Sequence, residues 1–526
     1  MGRLIGLLRA CLRPVDRRIP SLGWYLKYAY LKGEVVWAER WRWRKRPANR
    51  TDFPPWPVRK RPPAHDIRIA CILDPFSASC FEPEAHLTHL SARHWRRQVE
   101  AERPAFLLVE SAWRGLDGEW HLFVSHFAQM RRNPLRDLLD WCRENSVPTA
   151  FWNKEDPPNF DHFIAAAKEF DFIFTTDANC IGRYRTFCGH DQVYTLPFAA
   201  QPAIHNPIRN SKPVADICFA GTWYGDKYRD RCQGLEALLD AAMRYDLHIF
   251  DRQYGHVDPR YAFPVRFAPF IQGSLSYDRM LSAFRAYRVF LNVNSVTDSP
   301  TMFARRVFEL LACGTPVIST PSVGMEVMLG DYVRVAHDEK DASAELDALL
   351  GDEDARRKLS HLGARHVLTH HTYAHCLAAI CKAIGIDLPQ ATPPRVAIQI
   401  ENGDPALRAM AEAQSYPACD IGGAGDWIAP LRQGHAYGPN YIADLVLAAR
   451  YSGADIIGKI ARFQLRDGRA MLVEGESACR YMDIRPERAA LYRAAMPDSP
   501  SGFTADPYNY VENGASAGLL TEDIVI

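Results

Sequence analysis

Hydrophobic positions along the chain fall into short apolar runs separated by segments of helical period, and the alternation begins near residue 66. The runs at 67–73, 105–109, 149–152, 172–175 and 193–196 are apolar almost throughout, as strands buried on both faces are. Helical patterns lie between them, for example at 84–99 and 134–144. A second series starts at Ile217 with a strand, a glycine-bearing turn at 221–227 and a helix over about 228–245. It continues with a strand at 247–250, a helix at 276–287 and a strand at 289–293. Phe303, Val307, Leu310 and Leu311 then recur at helical spacing, Gly314 and Pro316 end that helix, and 315–320 is the next strand. Helices at 341–350 and 355–384 close the series. This pattern predicts an α/β chain with two doubly wound, Rossmann-like domains, 66–200 and 201–385. Polar, proline-bearing residues 201–214 read as a hinge between them, and three prolines in 386–394 as a linker. A strand at 396–400 and a helix at 405–414 open a smaller α/β domain, 395–526.

Charge changes the picture at the N-terminal end. Residues 1–61 carry 16 Lys/Arg against four acids, while the remainder carries 47 against 58. Trp24, Tyr25, Tyr28, Tyr30, Trp37, Trp41 and Trp43 lie among these cations. Amphipathic rings with basic residues suit an anionic membrane surface. Single-stranded nucleic acid would also accept them, as would the acidic body of the protein. The reading taken is a membrane surface, with no nucleic acid. Residues 52–63, with five prolines, read as a linker, so 1–65 stands apart from the folded body. No apolar run approaches the roughly 20 residues of a membrane span. The 13 cysteines are odd in number, scattered and without a CxxC pair, which suggests reduced thiols. The expected location is therefore cytoplasmic, peripheral at the inner face of the cell membrane.

Candidate chemistry sits in the loops after the strands, where open α/β sheets bind ligands. In the second domain Gly221, Thr222 and Trp223 form a strand-to-helix turn where backbone can approach phosphate, with Lys227 and Arg231 to neutralise it. Asn294, Ser299 and Thr301 supply amide and hydroxyl groups near a helix start, the place where α/β sheets usually hold pyrophosphate. Arg305 and Arg306 add positive charge, and Glu309 can accept from a ribose diol. In the first domain Asp74 follows the first strand, and Glu155 and Asp156 lie in the dense run FWNKEDP. These three acids are the candidate catalytic residues, although adjacent acids beside a lysine also make ordinary self-paired turns. His370, His371 and His375 look like metal ligands by composition, but no third ligand shares a face with His371 and His375, so they read as structural or acceptor-facing.

The wording of the central stretch resembles group 1 glycosyltransferases, and most closely the spore-maturation (CgeB-like) family with its R-x-F-E-x-x-A-C-G-x-P-x-I-S run. Here that run is Arg306, Phe308, Glu309, Ala312, Cys313, Gly314, Pro316, Ile318 and Ser319. FWNKEDP is similar to that family's W-N-x-E-D-P segment, and the turn at Gly221 to its F-x-G-x-x-Y. The resemblance spans 66–385. It implies a GT-B architecture, a nucleotide-sugar donor held by the second domain and a glycan, glycolipid or protein-linked acceptor held by the first. Retaining relatives have an earlier partner glutamate where this chain has Met302, so the stereochemical course is left open. The expected activity is glycosyl transfer in envelope polysaccharide synthesis. Arg306 and Lys227 would stabilise the leaving diphosphate without metal, and Asp74, Glu155 or Asp156 would act as base if the reaction inverts. A nucleotide-sugar epimerase or hydrolase, or a non-catalytic scaffold, are the alternatives. The tail at 437–444, 453–459 and 506–511 resembles family 2 (GT-A) glycosyltransferases. Where those enzymes cluster metal-binding aspartates it has Leu431, Arg432, Gln433, Gly434 and His435, which implies a reduced, inactive remnant with no metal.

Overall fold

A computed structural model describes residues 49–512, apart from 60, 256–260, 390–391, 468 and 486–487 and the side chains of 226, 227 and 469. Most of the basic N-terminal segment and the Lys227 side chain thus lie outside the described residues.

The first domain is a six-stranded parallel sheet. Its strands are β1 (Arg68–Ile72), β2 (His86–His89), β3 (Phe106–Glu110), β4 (Thr149–Asn153), β5 (Phe172–Thr175) and β6 (Val193–Thr195), in the order β2-β1-β3-β4-β5-β6. Every residue of β3 and β4 is buried, and Val109 pairs in register with Phe151. One departure from the sequence pattern is β2. The 84–99 segment is not one helix: 86–89 pairs along β1, His86 beside Arg68, and only Trp95–Glu102 is helical. Main-chain hydrogen bonding along an open sheet edge outweighs the helical period there.

The second domain repeats the plan with β7 (Ala215–Gly221), β8 (Leu247–Asp251), β9 (Ile271–Gly273), β10 (Tyr287–Asn292), β11 (Val317–Ser319) and β12 (Arg334–Val335), all parallel, in the order β12-β11-β10-β7-β8-β9. Its closing helices are Glu353–His370 and Tyr373–Ile384, separated at Thr372, where the His375 imidazole lies 2.8 Å from the Thr372 hydroxyl in a capping box. His375 is therefore a cap, and the His371 ring lies tilted against Phe308, 5.4 Å between ring centroids. The last helix crosses back onto the first domain. Tyr373 meets Phe81 edge-on at 4.9 Å, Tyr373 N donates to the Ala200 carbonyl, and Ala200 N donates to the His371 carbonyl.

The hinge expected at 201–214 is a packed connector. Gln201, His205 and Asn206 are buried, and Arg285 donates to the carbonyls of Ile204 and Asn206. The proline-rich segment expected as a linker is also docked. Phe53 enters the core beside Phe250 and Tyr287, Trp56 lies under the Arg285 guanidinium, and Arg61 donates to the carbonyls of Arg450 and Tyr451. Prolines remove donors but leave such side-chain anchors intact.

The C-terminal domain is a mixed seven-stranded sheet plus a four-stranded sheet. Residues singled out there by resemblance form its seam with the second domain. Asp444 accepts from Arg365 at 2.7 Å and from Asn509 at 2.7 Å, and Lys459 donates to the carbonyls of Asp506 and Tyr508. His361 lies 3.3 Å from Asp444 and 3.4 Å from Asp506. Burial alone would raise the Asp444 carboxyl, but His361, Arg365 and Lys459 hold it below the usual carboxylate range. One continuous apolar cluster runs from Ile69 and Trp152 through Phe308 and Leu377 to Ile398 and Leu445, so the three domains share a core.

Candidate functional site

Chain order reverses between β1 and β3 in the first sheet and between β7 and β10 in the second, and the loops after these strands face each other. A doubly wound sheet opens its ligand crevice at such a point. On the second-domain side β7 ends in Gly221, where an added Cβ would stand 2.7 Å from the Phe219 ring and force it to shift. Thr222 is buried, its carbonyl accepting from Arg231 at 3.0 Å, and Trp223 packs on Phe263. After β10, Asn294 knits the loop together: its amide donates to the Thr320 carbonyl at 2.9 Å and to Ser319 Oγ at 3.2 Å. The helix Arg306–Ala312 follows. Arg306 makes no hydrogen bond or ion pair among the described residues. Burial, then Arg231, Arg305 and Arg252 nearby, push its guanidinium down to about 10, opposed by Glu309. It is a cation held among cations with no carboxylate of its own.

Ser299 and Thr301 reach across to the first domain. Ser299 Oγ donates to Asp177 Oδ1 at 2.5 Å, Thr301 Oγ1 donates to the Thr176 carbonyl at 2.8 Å, and Ala178 N donates to Thr301 Oγ1 at 2.9 Å. The backbone at 299–301 also lies against Gly324, whose missing Cβ leaves room for it. Glu309 is buried at the same seam. Gln201 N donates to His205 Nδ1 (2.9 Å), which leaves the proton on Nε2 facing Tyr277 Oη at 2.8 Å, and Tyr277 donates to Glu309 Oε1 at 2.9 Å. Arg305 Nε lies 3.1 Å from the same oxygen. Burial pushes His205 down to about 4, which keeps it neutral in this chain. Glu309 Oε2 and Arg305 Nη1 are buried without hydrogen-bond partners.

On the first-domain side, Phe76 lies 3.6 Å beneath the Arg305 guanidinium, with Lys154 Nζ 3.8 Å from the same ring. Lys154 pairs with Glu110 at 2.7 Å and donates to Ser77 Oγ at 3.0 Å. Burial pushes the Glu110 carboxyl up to about 7 against the pull of Lys154, with Asp74 adding to the rise. Asp74 stands at the end of β1, partly exposed, its carboxylate without a partner among the described residues. Asp156 does not face this space. It is fully enclosed, accepting from Asn153 at 2.8 Å, Thr175 at 2.6 Å and Tyr184 at 2.9 Å, and burial pushes it up to about 7. Glu155 accepts from Asn159 at 2.7 Å in a local turn. The structure thus brings Asp74, Arg231, Arg306 and Glu309 around one seam and leaves Glu155 and Asp156 in the framework of the first domain. The sequence does not single out His205 and Tyr277, and it places Asp177 only in a crevice loop, without a role. Nothing near them in sequence signals the role, because each partner lies more than 30 residues away. One His/Asp/Asp group, His361, Asp444 and Asp506, has possible ligand atoms within 4.8 Å, but Arg365 and Lys459 already supply its positive charge.

Residues 231–382 match the family described as "Glycosyl transferase-like", and that stretch holds Arg231, Arg306 and Glu309. Solved structures with a similar chain course include an α-glucosyltransferase in complex with UDP and DNA, 10% identical, covering 61% of this chain and 100% of its own, TM-score 0.42. Another is an Anabaena protein, HepE, in complex with UDP and glucose, 10% identical, covering 61% and 99%, TM-score 0.39. A UDP-N-acetylglucosamine 2-epimerase is 11% identical, covering 56% and 90%, TM-score 0.31. No curated protein matches the chain. The fold is α/β in the GT-B manner, two Rossmann-like sheets meeting at their C-terminal strand ends, with an added mixed-sheet domain, and its second domain is glycosyltransferase-like.

Proposed function

We propose that the chain is a glycosyltransferase that moves a sugar from a nucleotide-sugar donor to a glycan, glycolipid or protein-linked acceptor during envelope polysaccharide synthesis. The observation that carries this reading is Arg306, a partly buried cation beside Arg231 at the β7/β10 switch point, whose guanidinium makes no hydrogen bond or ion pair among the described residues. A leaving diphosphate supplies such a partner, and preorganised guanidiniums stabilise it as the glycosidic bond breaks. The reaction is taken as metal-independent because these cations meet the diphosphate directly. In an inverting reaction Asp74 is the base, since its carboxylate is open while Glu155 and Asp156 are engaged. Residues 1–61 hold the enzyme against anionic lipid at the cytoplasmic face. Among the described residues no helix is long and apolar enough to cross a membrane.

The test is calorimetric titration of UDP, GDP and ADP into the full chain, followed by NMR of the matching donor sugars with and without acceptor glycans. Saturable binding of one diphosphate and transfer to an acceptor are expected. Release of an epimerised sugar would replace transfer by epimerisation, and no binding of any diphosphate would leave a scaffold.

A further inference from the structure

A cavity of about 500 Å³ opens between the second domain and the C-terminal domain, at the end of the second sheet opposite the cleft. Tyr287, at the N-terminal end of β10, forms part of its wall, with Pro316 just before β11, the helix Glu353–His370 and the segments 475–480 and 506–508. Six cationic side chains line it: Arg209, Lys212, Arg288, Arg356, Arg357 and Arg480. Among the described residues that line it, only Glu353, Glu476 and Asp506 oppose them, and all three are committed. Lys212 takes Glu476 at 2.9 Å, Arg356 and Arg357 share Glu353, and Asp506 is held by Lys459 and His361. Arg288 turns away to Asp216, and Arg209 spends both terminal nitrogens on the carbonyls of Arg285 and Gly314.

Arg480 is left over. Its side chain makes no hydrogen bond or ion pair among the described residues, and its Nε is buried without a partner. The crowding is electrostatically visible. Burial, then Arg288, with Arg357 and Arg209 adding, push Arg356 down to about 10 against the pull of Glu353. Arg209 is lowered by burial, with Arg357 and Arg480 contributing. Excess positive charge in a sheltered cavity is costly unless an anion enters, and guanidinium forks match phosphate oxygens. Pro207, Pro213 and the Tyr508 ring give the same cavity flat apolar walls, and its size lies in the range of small-molecule sites.

We propose that this cavity is a second ligand site, which binds a phosphorylated small molecule with its phosphate on Arg480 and Arg357 and its uncharged body against Tyr508. A sugar phosphate and a nucleoside monophosphate share that chemistry. The site is separate from the cleft and does not depend on what the cleft binds. It is nevertheless connected to it: Arg209 Nη2 holds the Gly314 carbonyl at 2.7 Å, and Gly314 closes the helix that begins at Arg306.

The experiment titrates glucose 1-phosphate, UMP and inorganic phosphate separately into the full chain by calorimetry, with Arg480→Ser, Arg357→Ser and, as a cleft control, Arg306→Ala. At least one organic phosphate should bind more tightly than inorganic phosphate, and the better of the two identifies the body. That affinity should fall about tenfold or more in each cavity variant, the loss expected for a charge-assisted contact, and should persist in Arg306→Ala. Absence of saturable binding, binding indifferent to both cavity variants, or binding lost in Arg306→Ala would each overturn the site. Should a cavity variant fail to fold, hydrogen exchange of the unaltered chain decides: ligand protection is expected at 353–361 and 475–480, and protection confined to 221–231 and 306–309 would overturn it.

Discussion

Ser299 Oγ donates to Asp177 Oδ1 at 2.5 Å, and this hydrogen bond joins the loop after β10 in one Rossmann-like domain to the loop after β5 in the other. Both residues are buried, and Thr301 adds two further bonds across the same seam. The loop that follows the central strand of the second domain is therefore positioned by the first. Ser299→Ala should lower stability by about 1–3 kcal/mol, the cost of leaving a buried charged acceptor short of a donor. Urea unfolding checks this. An unchanged midpoint would mean that the seam is open in solution.

Arg306→Ala separates binding from stability. The guanidinium has no hydrogen bond or ion pair to lose among the described residues and is crowded by Arg231, so the variant should melt at the same temperature or higher. Its affinity for a nucleoside diphosphate should fall about 10-fold to 100-fold, or roughly 1.4–2.8 kcal/mol, as expected for a charge-assisted contact. Calorimetry and thermal melting on the same samples read both. A melting point that drops together with affinity would make Arg306 structural.

Glu309 should behave in the opposite way. It pairs with half-buried Arg305 and accepts from Tyr277. Glu309→Ala should cost on the order of 2–4 kcal/mol, because a half-buried cation is left uncompensated and Tyr277 loses its acceptor. Replacing Arg305 by Met in the same background should recover part of that loss, a coupling that a double-mutant cycle in urea measures. If the two losses simply add, the pair is not coupled.

The pH dependence follows from Asp156. Burial raises its carboxyl to about 7 in the folded chain, above the ordinary value of 3.8. The folded state therefore keeps a proton that the unfolded state releases, and stability falls as pH rises from about 4 to about 7. Asp156→Asn mimics the neutral form and should flatten that part of the profile, leaving the variant relatively more stable at pH 8 than at pH 5. Denaturation midpoints across this range test it, and parallel profiles for the two proteins would refute it.

Deleting residues 1–48 should release the protein from anionic vesicles, because each Lys/Arg near such a surface contributes about 1 kcal/mol. Full-length binding should weaken steeply between low and high salt, and neutral vesicles should bind poorly. Phe53, Trp56 and Arg61 remain in the truncated chain, so its docked segment and fold should persist. Co-sedimentation and circular dichroism measure both. Equal sedimentation of the two proteins would remove lipid attachment from the segment's role.

The sequence by itself determined the repeated strand and helix plan and the loops that follow the strands. Parallel strands buried on both faces must be apolar at every position, as Phe106–Glu110 and Thr149–Asn153 nearly are. A helix with its own stop and start signals, such as Pro134–Glu144 behind the Asn133 cap, is legible without its neighbours. Only the tertiary structure decided which polar groups stay open. Asp74 and Asp156 look alike along the chain, yet one ends at an open strand end and the other is closed in by Thr175 and Tyr184. Glu309 looked like a free acceptor until Tyr277 and Arg305 closed on it, and residues 52–63 looked like a linker until Phe53 and Trp56 found the second domain. The reason is physical. Hydrophobic period reports how each segment meets a core, whereas the partner of a charge is set by contacts between residues far apart in sequence, and no local pattern encodes those.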